Sequence, residues 1–156
     1  ARVQQHKRSV ERFLVSRPGF ERFLVGMKSL SAAWVEKLLV VDDDESVAVS
    51  VAALLADEGR VDIASDGEEA LEKIGSGYYA AIVSDYSMPL MNGMELLSAA
   101  EERFPGISKR FLFFTSDEEM VDVFRDRGVR ALPKRSSVEE LSGAVAAVLS
   151  RAILPR

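Results

Sequence analysis

The stretch Leu38-Leu39-Val40-Val41-Asp42-Asp43-Asp44 joins a short apolar run to three consecutive carboxylates. An uninterrupted apolar run of this length is typical of a β-strand that is covered on both faces. Three later apolar runs also end in polar groups, at Asp85, at Thr115 and Ser116, and at Lys134. Because parallel strands present their carboxyl ends at one edge of a sheet, we expect these groups to lie together.

From residue 37 onward the pattern alternates between strands and helices. Apolar strands are predicted at 38–41, 61–64, 79–84, 110–114 and 129–132, and amphipathic helices at 46–58, 67–74, 94–103, 117–127 and 137–151. Five strands, each followed by a helix, predict an α/β fold with a doubly wound, five-stranded parallel sheet. The expected strand order is 2-1-3-4-5, the flavodoxin-like arrangement, which places the first strand beside the third.

Composition limits the classes of function that need to be considered. The 156 residues include no cysteine, so disulfides and thiolate metal sites are excluded. No apolar run reaches the ~20 residues of a membrane-spanning helix, and the start of the chain lacks the pattern of a signal peptide. We therefore expect a cytoplasmic protein without a membrane partner. The chain begins with Ala1, which leaves open that it is a piece of a longer protein.

The charge is distributed unevenly along the chain. Residues 1–36 carry seven Lys/Arg and three Asp/Glu, whereas the remainder carries thirteen and twenty-two. This shift predicts a helical N-terminal extension or linker over 1–36 and a separate domain over 37–156. A dimerising helix pair and a nucleic-acid contact remain alternatives for the extension. The acidic main domain is not expected to bind nucleic acid directly.

The clustered carboxylates predict a cation site. Asp42, Asp43 and Asp85 would repel one another strongly at close range, so a pocket that contains them favours a divalent cation. Mg²⁺ suits a set of oxygen ligands. Capping of the following helix by Asp44 or Ser46 is the simpler interpretation for part of the cluster.

The loop after the third strand is the most specific motif in the chain. Residues 85–93 read Asp-Tyr-Ser-Met-Pro-Leu-Met-Asn-Gly, which contains the pattern Asp-x-x-Met-Pro-x-Met-x-Gly. Together with Val-Asp-Asp at 41–43, Thr-Ser at 115–116 and Pro-Lys at 133–134, this loop closely resembles the receiver domains of bacterial two-component signalling. The resemblance is to chemotaxis-type receivers and covers roughly residues 37–151.

The resemblance implies a role for each of these polar groups. Asp85 would accept a phosphoryl group from a sensor histidine kinase or a histidine phosphotransfer protein. Thr115 and Lys134 would contact the phosphoryl oxygens. Mg²⁺ would be held by Asp42, Asp43, Asp85 and the backbone carbonyl of Ser87. Such a chain would accept and lose its own phosphoryl group without being an enzyme that turns over a substrate. Simpler interpretations are a helix cap for Thr115 and a solvated side chain for Lys134.

The sequence departs from the family pattern in three places. Arg135 follows Lys134 where family members usually have a proline, and Ala131 stands where many have an aromatic residue. The interval between Thr115 and Lys134 is short, which predicts a short or displaced fourth helix. We expect the signalling face to be altered, in keeping with a phosphate sink or a receiver tethered to a hybrid kinase.

Two other functions remain open at this stage. The chain could be an interaction or dimerisation module that works without phosphorylation, with the N-terminal helices forming a homodimer. It could also be a phosphatase of the haloacid dehalogenase type, with Asp42 and Asp44 as the Asp-x-Asp pair. The second interpretation leaves the loop at residues 85–93 unexplained.

Overall fold

The computed structural model describes residues 35–153 of the chain. The extension predicted for residues 1–36 lies outside the described residues, apart from its last two. Its helices, its possible dimerisation and its boundary with the following domain therefore stay predictions. All elements below belong to the unit that begins at Lys37.

Five parallel strands form a single sheet. They are β1 (Lys37–Val41), β2 (Arg60–Ala64), β3 (Ala81–Ser84), β4 (Phe111–Thr115) and β5 (Arg130–Pro133). The strand order is β2-β1-β3-β4-β5, and every neighbouring pair is parallel. The predicted fold class and strand order are confirmed.

Helices cover both faces of this sheet. They are α1 (Glu45–Leu55), α2 (Gly67–Ser76), α3 (Gly93–Arg103), α4 (Glu118–Asp126) and α5 (Val138–Ile153), with a 3₁₀ helix at Ile107–Arg110. Alternate strand residues point to opposite faces. Leu39 and Val41 therefore join the core under α2, α3 and α4, whereas Leu38 and Val40 join the core under α1 and α5.

Some predicted boundaries were wrong. The first helix was predicted to reach residue 58, but α1 ends at Leu55, the last residue of its buried stripe. β3 begins at Ala81 instead of 79, because its pairing with β1 starts where Ala81 meets Leu38. The 3₁₀ helix was not predicted.

The start of that 3₁₀ helix is held by a side chain. The Glu101 carboxylate accepts hydrogen bonds from the backbone nitrogens of Gly106 at 2.6 Å and Ser108 at 2.9 Å. Gly106 has φ = 92°, a conformation that glycine adopts without strain. The fourth helix was predicted to be short, and α4 has nine residues. It is the shortest of the five α-helices in the described part of the chain.

Candidate functional site

Pairing of the two central strands sets Asp42 beside Asp85. Val41 at the end of β1 pairs with Ser84 at the end of β3, so the next residue of each strand emerges at the same place. The backbone nitrogen of Asp85 donates to the Val41 carbonyl at 2.9 Å. Both aspartates are buried, with 4% and 7% of their surface exposed. The edge at which parallel strands end is thus occupied by two recessed carboxylates.

Lys134 joins a third strand end to this pair. Its backbone nitrogen donates to the Thr115 carbonyl at 2.9 Å, which extends the β4–β5 ladder by one bond. Its Nζ donates at 2.9 Å to Oδ2 of Asp42 and at 2.9 Å to Oδ2 of Asp85. Lys134 is therefore a partner of both carboxylates, and the interpretation of a solvated lysine does not fit.

The three carboxylates expected to bind a metal do come together. Asp42, Asp43 and Asp85 each offer an oxygen, and these oxygens lie within 4.8 Å of one another. Asp43 is exposed, whereas the other two are buried. Three carboxylates and one ammonium leave a formal charge of −2, and all the donors are hard oxygens. This set fits a divalent cation of the Mg²⁺ type.

Asp44 caps a helix and does not belong to this cluster. Its Oδ1 accepts from the backbone nitrogens of Ser46 at 3.0 Å and Val47 at 3.2 Å, so it is the N-cap of α1. The capping interpretation thus accounts for Asp44 alone and leaves the other two aspartates of the triplet at the site. A dehalogenase-type Asp-x-Asp pair would need the side chain of Asp44 at the site, where it is not found.

Burial and charge set the protonation equilibria of the site. Burial raises the pKa of the Asp42 carboxyl, and the nearby Asp85 charge adds to this, against the hydrogen bonds from Lys134 and the Asp44 nitrogen. Burial alone would lower the pKa of Lys134, but its hydrogen bonds to Asp85 and Asp42 outweigh burial and raise that pKa. The ammonium is therefore firmly protonated, while ionised Asp42 carries a free-energy cost.

Thr115 lies at the same edge, and its hydroxyl forms no hydrogen bond to either aspartate. It is the last residue of β4 and is fully buried. Its hydroxyl oxygen accepts from the backbone nitrogen of Asp117 at 3.2 Å. Asp117, whose carboxylate accepts from the Met120 nitrogen, is the cap of α4. The cap predicted as an alternative for Thr115 is thus supplied by its neighbour, which leaves the hydroxyl proton available.

The loop from Asp85 to α3 is fixed by close packing. Gly93 donates its backbone N–H to the Tyr86 carbonyl at 2.8 Å. A Cβ at Gly93 would stand 2.7 Å from the Asp85 carbonyl oxygen and 2.7 Å from the Phe113 ring, so only glycine fits. Ser87 is exposed in this loop, two residues beyond Asp85. The role of its carbonyl as a metal ligand stays a prediction.

Two of the departures from the family pattern have visible consequences. The described residues contain no cis peptide bond, so the bond between Lys134 and Arg135 is trans. The Arg135 guanidinium instead forms an exposed ion pair with Glu118 in the first turn of α4. This pair connects the loop after β5 to α4 and could not be predicted, because the two residues are far apart in sequence.

β5 has no aromatic residue at position 131, but aromatic side chains pack against one another next to Asp85. Ala131 is buried, and Tyr86, directly after Asp85, packs edge-on against Phe124 of α4 with ring centroids 5.9 Å apart. Phe124 in turn stacks on Phe113 of β4 at 3.8 Å. The sequence analysis did not single out Tyr86. Its position next to Asp85 was the only available signal.

Comparison with known proteins agrees with this geometry. A family model described as the response regulator receiver domain matches residues 38–146. The transcriptional regulatory protein DltR of Streptococcus agalactiae is 37% identical over 87 residues, which cover 55% of this chain and 38% of that protein. The response regulator MprA of Mycobacterium ulcerans is 36% identical over 121 residues, covering 74% of this chain and 50% of MprA.

A solved structure shows the same likeness. The chemotaxis protein CheY4 of Vibrio cholerae has 31% sequence identity and a TM-score of 0.65, covering 74% of this chain and 99% of that one. The chain belongs to the response regulator receiver domain family. It spans about half the length, or less, of the curated relatives it matches. Within residues 35–153, no helix has the length and apolar character needed to cross a membrane.

Replacing Gly93 should destabilise the domain. We expect Gly93→Ala to lower the free energy of unfolding by about 1–3 kcal/mol, because the new methyl group overlaps the Asp85 backbone and the Phe113 ring. Gly143→Ala is the matched control. Gly143 lies inside α5 with open space around it, so alanine should stabilise by about 1 kcal/mol. Urea unfolding measures both, and an unchanged midpoint for Gly93→Ala would contradict the packing described.

Substitutions of Asp42 and Lys134, which form an ion pair, should change the free energy of unfolding in opposite directions. A carboxyl whose pKa is raised on folding favours the fold while protonated and loses that contribution as pH rises through its pKa. At neutral pH without divalent cations, Asp42→Asn should therefore stabilise, on the order of 1 kcal/mol. Lys134→Met should destabilise by about 2–3 kcal/mol, because it leaves two recessed carboxylates unpaired.

Urea unfolding with a chelator present, at several pH values, checks this pair of variants. The gain from Asp42→Asn should shrink as the solution is acidified, since the wild-type carboxyl then becomes protonated. A loss of stability in both variants at neutral pH would show that the carboxylate charge is not a cost to the fold.

Proposed function

We propose that this chain is the phosphoacceptor of a two-component phosphorelay and that Asp85 accepts the phosphoryl group. The observation that carries the proposal is the double contact of Lys134 Nζ, at 2.9 Å from both Asp42 and Asp85. A phosphoryl group in transfer spreads negative charge over its equatorial oxygens. A protonated lysine already in contact with the acceptor oxygen is placed to meet that charge.

The transfer step needs little covalent chemistry from the protein. A carboxylate oxygen of Asp85 attacks phosphorus, a P–O bond forms, and the P–N bond to the donor histidine breaks. The bonding pair of the P–N bond returns to the ring, and the imidazole, protonated on its other nitrogen before transfer, leaves as a neutral ring. The product is an acyl phosphate. Thr115 would donate its hydroxyl proton to one phosphoryl oxygen, and Lys134 would follow another.

Asp42, Asp43, Asp85 and the Ser87 carbonyl would hold Mg²⁺. When bound, the cation supplies positive charge that offsets the carboxylates and the incoming phosphoryl oxygens. Support comes from the oxygen donors within 4.8 Å of one another and from the charge that Lys134 leaves uncompensated. Asp43, the exposed member, is proposed as the most direct ligand.

The proposed partner is a sensor histidine kinase or a histidine phosphotransfer protein in the cytoplasm. The chain would act as a stoichiometric acceptor that also loses its own phosphoryl group, and not as an enzyme with a separate substrate. MprA is named a response regulator and DltR a transcriptional regulatory protein. Any nucleic-acid contact of the whole protein is proposed to lie outside residues 37–156.

Two observations favour a second candidate, an interaction module that works without phosphorylation. Ala131 is buried where many receivers have an aromatic residue, and the Arg135–Glu118 ion pair connects the β5 loop to α4. If the assembly of the chain is the same with and without Mg²⁺ and beryllofluoride, measured by light scattering, the second candidate is preferred. A change in assembly on addition of both favours the phosphoacceptor as a switch.

Phosphorylation from a small donor tests the first candidate. With acetyl phosphate and Mg²⁺, intact mass should show one added phosphoryl group. The gain should disappear in Asp85→Asn and when Mg²⁺ is chelated. Lys134→Ala should slow the reaction by about 10²-fold, the typical effect of removing one charge-stabilising group.

Asp66→Asn is the matched control for this experiment. Asp66 lies in the loop after β2, at the same edge of the sheet, and caps α2. Asparagine caps a helix equally well. It should be phosphorylated like the wild type. No gain of mass in the wild type, together with no beryllofluoride binding, would refute the phosphoacceptor proposal.

A further inference from the structure

Leu90 is an apolar side chain that the domain leaves in water. It is 93% exposed, the highest value among the exposed large hydrophobic residues of the described part of the chain, and the next is Tyr78 at 61%. Single exposed leucines are ordinary on protein surfaces. Leu90 is unusual because its backbone conformation is also unfavourable for leucine.

The backbone at Leu90 is in a conformation that leucine rarely adopts. Its φ is 68°, and it is the only non-glycine residue between 35 and 153 with a positive φ. Glycine and asparagine adopt the left-handed region far more readily than a branched apolar residue does. Neither burial nor backbone preference therefore explains why leucine stands here.

The loop around Leu90 is nevertheless well fixed. Met88 is buried, and the backbone nitrogen of Met91 donates to the Pro89 carbonyl at 2.8 Å. The side chain of Met91 packs so closely on Gly67 that a Cβ there would meet its sulfur at 2.7 Å. The two neighbours thus hold the loop from both sides, and Leu90 projects from it into solvent in one defined place.

The position of Leu90 relates it to the acceptor. Asp85 is recessed, with 7% of its surface exposed, and Leu90 follows it by five residues in the same loop. A small phosphodonor brings only a few atoms to Asp85. A protein that carries the phosphoryl group on a histidine must instead bring its surface against the loops at this edge of the sheet, the loop after Asp85 among them. An exposed leucine on a fixed loop would be covered by such a surface.

We propose that Leu90 is a specificity-determining contact for the protein donor, and that the donor presents an apolar patch beside its phosphohistidine. This inference rests on the proposed function of Asp85. Local strain that the fold does not need is often retained where it serves a contact or a reaction. Covering an apolar side chain supplies binding free energy that a small donor cannot use.

The test compares two donors on one variant. Phosphoramidate, which has a P–N bond like that of phosphohistidine, is the small donor. The protein donor is an autophosphorylated histidine-kinase core, chosen from a purified panel as the one that transfers fastest to the wild-type chain. We expect Leu90→Asn to leave the phosphoramidate rate within twofold of wild type and to slow transfer from the kinase core about tenfold. Its melting temperature should rise by about 2–4 °C, because asparagine suits the backbone.

Two control variants test whether the effect depends on the apolar side chain and on its position in the loop. Leu90→Met keeps an apolar side chain and should retain most of the rate with the kinase core. Tyr78→Asn removes the next most exposed apolar residue, at the opposite edge of the sheet where β3 begins, and should change neither rate. Sedimentation of the wild type and Leu90→Asn shows whether a second copy of this chain covers Leu90 instead.

Several outcomes would overturn the inference. Equal rates of the wild type and Leu90→Asn with the kinase core would do so, as would a dimer that only the wild type forms. A fall in the phosphoramidate rate or in the melting temperature of Leu90→Asn would assign the side chain to the loop itself. Failure of the wild type to react with phosphoramidate, acetyl phosphate or the kinase core, together with no beryllofluoride binding, would refute the proposed function, and this inference with it.

Discussion

The arrangement of the site depends on the contacts of the Lys134 ammonium with two carboxylates. It lies 2.9 Å from Asp42 on one strand end and 2.9 Å from Asp85 on the next. Two recessed carboxylates at this separation would repel each other, and one ammonium offsets only part of that repulsion. Burial raises the pKa of Asp42, and the charge of Asp85 adds to this, so the ionised pair still carries a free-energy cost. The site therefore favours the binding of more positive charge.

The sheet makes this arrangement rigid. Asp42 and Asp85 are fixed by the pairing of Val41 with Ser84, and Lys134 by its backbone bond to Thr115. The side chains that meet at the edge thus come from strands whose order is set by the fold. Gly93 completes the support, since it allows the loop after Asp85 to return directly against that residue's backbone.

Much of this could be predicted from the sequence, for a simple reason. Each strand is a continuous apolar run, and each ends in a residue whose chemistry is distinctive, so order along the chain indicates position at the edge. Contacts between distant side chains could not be predicted in this way. The Arg135–Glu118 ion pair and the Tyr86–Phe124 contact depend on how α4 sits on the sheet, which no local pattern encodes.

Helix ends and loops were the least predictable parts. The first helix was expected to continue to about residue 58, before Gly59, but it ends at Leu55, the last residue of its buried stripe. Of the three consecutive aspartates, Asp44 caps a helix and the other two lie at the site, a division that only the structure shows. Nothing in the sequence marked Leu90, since its exposure and its φ of 68° are properties of the folded loop.

The packing of α4 and β5 bears on the expectation that the signalling face is altered. Ala131 is buried and has no ring, whereas Tyr86, the residue after Asp85, packs edge-on against Phe124 of α4. Phe124 is stacked on Phe113, so a displacement at Tyr86 would meet a well-packed neighbour. Packed aromatic contacts transmit small shifts because dense interiors do not deform continuously.

A crystal structure grown with Mg²⁺ and beryllofluoride tests the arrangement most directly. The metal should bind about 2.1 Å from carboxylate oxygens of Asp43 and Asp85. The beryllium should be attached to Asp85, with Lys134 Nζ and the Thr115 hydroxyl each contacting a fluoride. A metal bound elsewhere, or beryllium attached to another aspartate, would contradict the central claim that these strand ends form one phosphoryl-accepting site.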